Sequence, residues 1–153
     1  MEQGAKYSAS TIAKWFLYYN NVQMDDEGAD LISNLKLQKL LYYAQGCYLA
    51  IKDKPLFNEK IVAWDHGPVV ENVYREYRNN GSNGIIYDQS YDGSIDLETE
   101  EILKQVYNVF GQYSAWGLRN KTHQEKPWKV TPRNSEIDRD VIKEYFKDTY
   151  VSE

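Results

Sequence analysis

Both histidines of this 153-residue chain stand beside tryptophan and proline. His66 lies in Ala63-Trp-Asp-His-Gly-Pro-Val-Val70. His123 lies between Tyr113 and Trp128, a segment that holds Trp116 and Trp128, two of the four tryptophans. Three kinds of chemistry could use such residues. The first is metal binding, through His66, His123, Asp65 and Glu125. Zinc sites usually show compact ligand spacings such as His-x-x-x-His or paired cysteines, and neither occurs here, so no metal is expected. The second is catalysis. His123 and Glu125 are two residues apart, a spacing at which helical side chains do not face each other. There is no Gly-x-Ser-x-Gly elbow, and Ser114 has no base close to it in sequence. A hydrolase built on His66 or His123 is therefore the lesser alternative, kept because a catalytic triad is defined by geometry and not by chain order. The third is recognition, since Trp, Tyr and Arg anchors carry much of the energy of protein interfaces.

Each candidate anchor has a plainer role beside it. A tryptophan on a helix is more often core than contact. His66, ahead of Gly67-Pro68, can brace a tight turn. His123 can make a structural hydrogen bond. Gly81 and Gly84 fall in a polar surface turn, so no phosphate-cradling loop is present and no cofactor is expected.

Bulk composition narrows the class. The length suits one domain over residues 1–153 with its own core. Hydrophobic residues make up 42% and charged residues 27%, ordinary for a globular chain. Fourteen tyrosines are an enrichment that serves either core edges or an interface. A net charge of −5, with Lys and Arg scattered and no run of five, disfavours nucleic acid. One cysteine, Cys47, excludes an internal disulfide, suits a reducing cytoplasm and is expected to be a buried thiol. No apolar run has membrane-span or signal-peptide length, so a soluble, cytoplasmic, membrane-free protein is expected.

The elements that must position these residues are mostly helices. Ile12, Trp15, Phe16 and Tyr19 keep one helical face, capped by Ser8 or Ser10, and the polar stretch 20–30 is expected to break it. A second helix opens near Ser33 or Asn34. Its stripe is Leu37, Leu40, Leu41, Ala44, Tyr48 and Ile51, with Lys36, Lys39 and Gln45 off the stripe. Residues 60–64 form a short strand, and Gly67-Pro68 opens a helix with Val69, Val70, Val73, Tyr74 and Tyr77 inward. Ile85 to Tyr91 is expected to pair with that strand as a ribbon. Asp96 caps a helix whose buried side is Leu97, Ile102, Leu103, Val106, Val109 and Phe110, stopped by Gly111. Ser114 caps the next, which carries Trp116 and Leu118 to about Thr122 before Pro127. A last helix starts at Ser135, with Ile137, Val141, Ile142, Tyr145 and Phe146 inward. The predicted fold is mostly α: a single compact domain of about six helices with a short two-stranded ribbon.

Several blocks carry a resemblance. Lys36-Leu-Gln-Lys-Leu-Leu-Tyr-Tyr-Ala-Gln-Gly46 resembles the signature helix of the Panacea domain, the SocA-like antitoxin family that includes phage-associated GepA-type proteins. So do Pro55-Leu-Phe-Asn-Glu59, the block around His66, Tyr74-Arg-Glu-Tyr77, and Ser114-Ala-Trp116 leading to Thr122-His-Gln-Glu125 and Pro127-Trp128. They occur in the family's order over residues 7 to 150. Cys47 stands where an aromatic is expected after Gln-Gly, and residues 79–93 carry no family motif.

The resemblance implies a helical antitoxin that binds a cognate toxin protein directly and neutralises it. Such genes tend to lie in prophages and mobile elements beside their toxins. It also implies an alternative, a proteolytic adaptor handing the toxin to an ATP-dependent protease. The motif and toxin-binding residues it points to are Trp64, His66, Gly67, Pro68, Tyr74, Arg75, Trp116, Thr122, His123, Pro127 and Trp128.

Overall fold

Five short polar side chains set helix starts. In a computed structural model describing residues 4–27 and 30–151, Ser33 accepts a hydrogen bond from Lys36 N and opens α2 (Asn34–Lys52). Asp96 does the same from Thr99 N for α4 (Leu97–Phe110), and Ser114 from Gly117 N for α5 (Ala115–His123). Asp138 caps α7 (Arg139–Thr149). Each satisfies a backbone N–H that a helix start leaves without an internal partner. The remaining helices are α1 (Ala9–Glu27), α3 (Glu71–Tyr77) and α6 (Lys126–Lys129). Ser8, not Ser10, caps α1, its hydroxyl accepting from Thr11 N.

α2 is the hub. Fourteen of its 19 residues are buried, so it has almost no solvent face. α1, α3, α4, α5 and α7 all pack against it. This overturns the one-sided stripe expected from sequence. Lys39 and Gln45 are buried, and Lys36 is half-buried with its Nζ on Gly111 O at 2.6 Å. Ile51, expected on the stripe, is exposed. A buried polar group must find a partner, and those of α2 find the backbone of the segments wrapped around it. Gln45 accepts from Leu56 N and donates to Phe57 O. Gln38 accepts from Val70 N, Asn34 donates to Tyr74 O, and Lys39 donates to Pro68 O.

Other expectations are corrected. α1 does not break at Asn20 but continues to Glu27. Residues 21–27 hold neither Gly nor Pro, and buried Asn20 is tied to Asp30 O and to the Tyr107 hydroxyl. The ribbon is differently paired. β2 (Val62–Trp64) runs antiparallel to β3 (Gly67–Val69) across the Asp65-His66 turn, with Val62 opposite Val69 and Trp64 opposite Gly67. The nearer partner closes the shorter loop. β4 (Gly84–Ile85) pairs instead with β1 (Ile32–Ser33). Gly67-Pro68 therefore lies in a strand, and α3 starts at Glu71. Pro127 does not end α5; it sits in the first turn of α6, where its missing N–H is no loss. α7 starts at Arg139 rather than Ser135, because residues 134–137 run beside β2: Ala63 N donates to Ser135 O and Ile137 N to Ile61 O. Leu97 and Val109 are exposed, the first on the opening turn of α4. Cys47 is half-buried, and burial pushes its thiol up to about 12.

Gly46 permits a close approach between α2 and α7. A Cβ there would run into the Phe146 ring of α7. Gly46→Ala is expected to lower stability by about 1–3 kcal/mol through overpacking, although alanine is the better helix former. The urea midpoint checks this; an unchanged midpoint would mean that Phe146 simply moves aside.

Candidate recognition site

The β2–β3 hairpin lies over α2 and against α5. Its turn depends on Gly67, buried and held at φ +113°, a region that favours glycine. A Cβ there would lie 2.7 Å from Lys39 Cε and 2.9 Å from Thr122 Oγ1. The hairpin, the hub and α5 thus meet at one backbone atom. Thr122 is fully buried, and its hydroxyl donates to Arg119 O. Pro68 is buried and offers its carbonyl to Lys39.

Trp128 joins this point to the outer surface. Its indole N–H donates to Trp64 O at 2.8 Å. The His123 ring stacks on it with centroids 3.9 Å apart, and the Arg133 guanidinium lies 3.6 Å from its centroid. Two planar groups at those distances cannot share a face, so Trp128 is sandwiched. Pro127 is buried beneath, its carbonyl accepting from Thr131 Oγ1. Trp64 is half-buried, with its edge on Tyr74 and its N–H on Glu71. His66 is exposed at the hairpin turn, 6.4 Å from the ring of Trp116. Trp116 is 56% exposed and carries the Arg119 guanidinium at 4.4 Å.

Ten of the eleven expected site residues therefore form a connected path from hub to surface. Arg75 does not join it; exposed on α3, it donates to Asn72. His123 and Glu125 point to different partners. His123 faces Trp128, while Glu125, 3% exposed, accepts from the hydroxyls of Tyr42, Tyr43 and Tyr150. Burial raises the Glu125 pKa and the three donors oppose that rise. Burial also lowers the His123 pKa, with the Arg119 charge adding to the effect. Among the described residues, no three metal-ligating side chains come together.

Sequence reasoning missed Lys39, Arg119 and Arg133 as parts of this arrangement, and it set Glu125 beside His123 rather than under three tyrosines. Lys39 had a signal: a lysine followed directly by the apolar run Leu40-Leu41-Tyr42-Tyr43-Ala44. Arg119 had one too, three residues after Trp116 on the same helix face. Arg133 reaches Trp128 across a loop, which no spacing rule announces.

The chain belongs to the SocA-like antitoxin family: the family pattern described as "Antitoxin SocA-like, Panacea domain" matches residues 37–129. That span contains the hub helix from Leu37, the hairpin, α5 and Trp128. A curated relative, Antitoxin SocA of Caulobacter vibrioides, is 53% identical over 112 residues, which is 65% of this chain and 59% of that protein. The chain thus aligns with about three-fifths of the relative's length. No solved structure matches it.

Lys39 provides a direct check on the buried end of the site. Burial, reinforced by the like charge of Arg119, brings its pKa down to about 7. The folded state then binds fewer protons than the unfolded state between about pH 7 and the ordinary lysine value, so stability rises with pH across that window and is flat below it with respect to this group. Between pH 7 and 9 the wild type should gain about 2 kcal/mol relative to Lys39→Met. Urea unfolding of both proteins at the two pH values measures the difference; parallel pH profiles would show that Lys39 stays protonated when folded.

Proposed function

We propose that this protein is the antitoxin of a toxin–antitoxin pair and neutralises its cognate toxin by direct protein–protein binding in the cytoplasm. Membership of the SocA-like antitoxin family, over the residues that build the hub, hairpin and α5, carries the reading. The relative called Antitoxin SocA supports it. So does the chemistry of the surface. Trp116 is a large aromatic held out to solvent with a guanidinium on its face, the kind of residue that dominates interface energies. Trp64, Gly67, Pro68, Thr122, Pro127 and Trp128 hold that surface in place, with His66 beside Trp116 and His123 stacked on Trp128.

The chain acts by binding and not by catalysis. His66 is a solvent-facing turn residue and His123 is stacked on an indole, and among the described residues neither has a hydrogen-bonded carboxylate to orient it as a base. Among the described residues no helix is long and apolar enough to cross a membrane, in keeping with a partner met in solution.

Co-expression with the adjacent open reading frame tests this. The neighbour alone should arrest growth, be tolerated with this chain, and co-purify with it at an unchanged toxin level. Toxin that disappears only while an ATP-dependent protease is present would replace inhibition with adaptor function. Loss of neutralisation in His66→Ala/His123→Ala with an unchanged thermal midpoint would favour the hydrolase. Trp116→Ala should keep the thermal midpoint and weaken the complex by about 2 kcal/mol, near thirtyfold in Kd; full affinity in that variant would remove Trp116 from the interface.

A further inference from the structure

The positive charge of this chain is concentrated where its aromatic ledge lies. Between Tyr113 and Ser135 there are five Lys or Arg residues and one acid, Glu125, in a protein whose formal charge is −5. Glu125 is turned inward to three tyrosines. Among the described residues, the lysines that pair with carboxylates are Lys6, Lys14, Lys52, Lys104 and Lys143. None of the five cations of the 113–135 segment does so.

Hydrogen bonding marks the same place. Among the described residues, the shielded side-chain nitrogens and oxygens without a partner are Arg119 Nε, His123 Nε2 and Arg133 Nη1. All three belong to groups gathered around Trp116 and Trp128. Polar atoms shielded from water without a partner are costly, and a protein carrying so many acids has neutralising groups to spare. Yet here the guanidiniums lie on indole faces, where the ring quadrupole gives them part of the stabilisation a carboxylate would. Arg119 also donates to Asn120 Oδ1 and Arg133 to the Trp128 carbonyl, but among the described residues neither guanidinium pairs with a carboxylate, so their charge is uncompensated. Arg119 and Arg133 both lie close enough to His123 to depress its pKa, so their fields overlap.

We propose that this ledge receives an acidic segment of a protein partner, whose carboxylates pair with Arg119 and Arg133 while an apolar side chain of the segment lies on Trp116. That the partner is a protein rests on the antitoxin reading; the preference for carboxylates rests on the uncompensated guanidiniums. Guanidinium forks match carboxylate geometry. Fixed on the ring faces, they lose little freedom on binding. Nucleic acid, also anionic, meets an overall negative chain outside this ledge.

The test follows the indole and imidazole resonances of the isolated protein during titration with a hexaglutamate peptide, inorganic phosphate and an oligo-dT strand. Hexaglutamate should move the Trp116, Trp128 and His123 signals saturably. It should leave Trp15, buried and bonded to Glu100, in place as the reporter of an intact fold. Arg119→Gln and Arg133→Gln should each weaken the effect about tenfold, and raising NaCl to about 0.5 M should do so in the wild type without any substitution. Signals that do not move with hexaglutamate, movement equally strong in both variants and at high salt, or saturation by phosphate or oligo-dT alone would each overturn the proposal. The two readings fail separately. A chain that takes hexaglutamate here but ignores its neighbour's product loses the antitoxin reading and keeps the site. A chain whose Arg119→Gln/Arg133→Gln variant still neutralises that product at full strength loses the site and keeps the reading.

Discussion

A helix with almost no solvent face organises this molecule. α2 is surrounded by five other helices and a hairpin, so each of its polar side chains is a demand that some other segment must meet. Most demands are met by main chain: Phe57 through Gln45, Val70 through Gln38, Pro68 through Lys39, Tyr74 through Asn34, while Tyr42 and Tyr43 meet the Glu125 carboxylate. Irregular segments, which would otherwise be free to choose among many conformations, are thereby fixed at named atoms. The apolar contacts supply most of the stability, but they are not directional. Polar side chains on the hub decide which loop goes where.

The same device positions the outer surface. Lys39 holds the hairpin by a carbonyl, Gly67 lets the turn lie on the lysine stem, and Thr122 brings α5 to the same point. From there Trp128 takes the Trp64 carbonyl and spreads the contact outward to His123 and Arg133. The inner part of this path is buried; its outer end carries exposed His66 and Trp116 with the Arg119 guanidinium on the indole face. A scaffold divided in this way can vary its exposed anchors while retaining the backbone that presents them.

Much of this was legible in the sequence, and the failures share a cause. Caps were legible because Ser33, Asp96 and Ser114 act on residues two or three positions away. The mostly helical class followed from the period of the apolar residues, and the family blocks near His66 and His123 marked residues that meet in space. Lys39 and Gln45 were misplaced because a helical stripe assumes one wet face, and α2 has almost none. The strand at Val62–Trp64 was recognised but given the wrong neighbour, since Gly-Pro reads equally well as a helix start. Residues 20–27 look like a loop by composition, yet Asn20 is anchored by Asp30 and Tyr107, which no local rule contains.

The Glu125 cluster has a consequence in time rather than in space. Two of its donors, Tyr42 and Tyr43, come from the hub, and the third, Tyr150, follows α7. Phe146 of α7 also covers Gly46. On the ribosome, the first 138 residues therefore contain a buried-to-be carboxylate short of one donor and a hub helix still open along the side that α7 covers. Folding cannot be completed domain-piece by domain-piece as the chain emerges. It waits for α7 and Tyr150, so a chain that stops before residue 139 lacks one wall of the hub on which the outer surface is mounted.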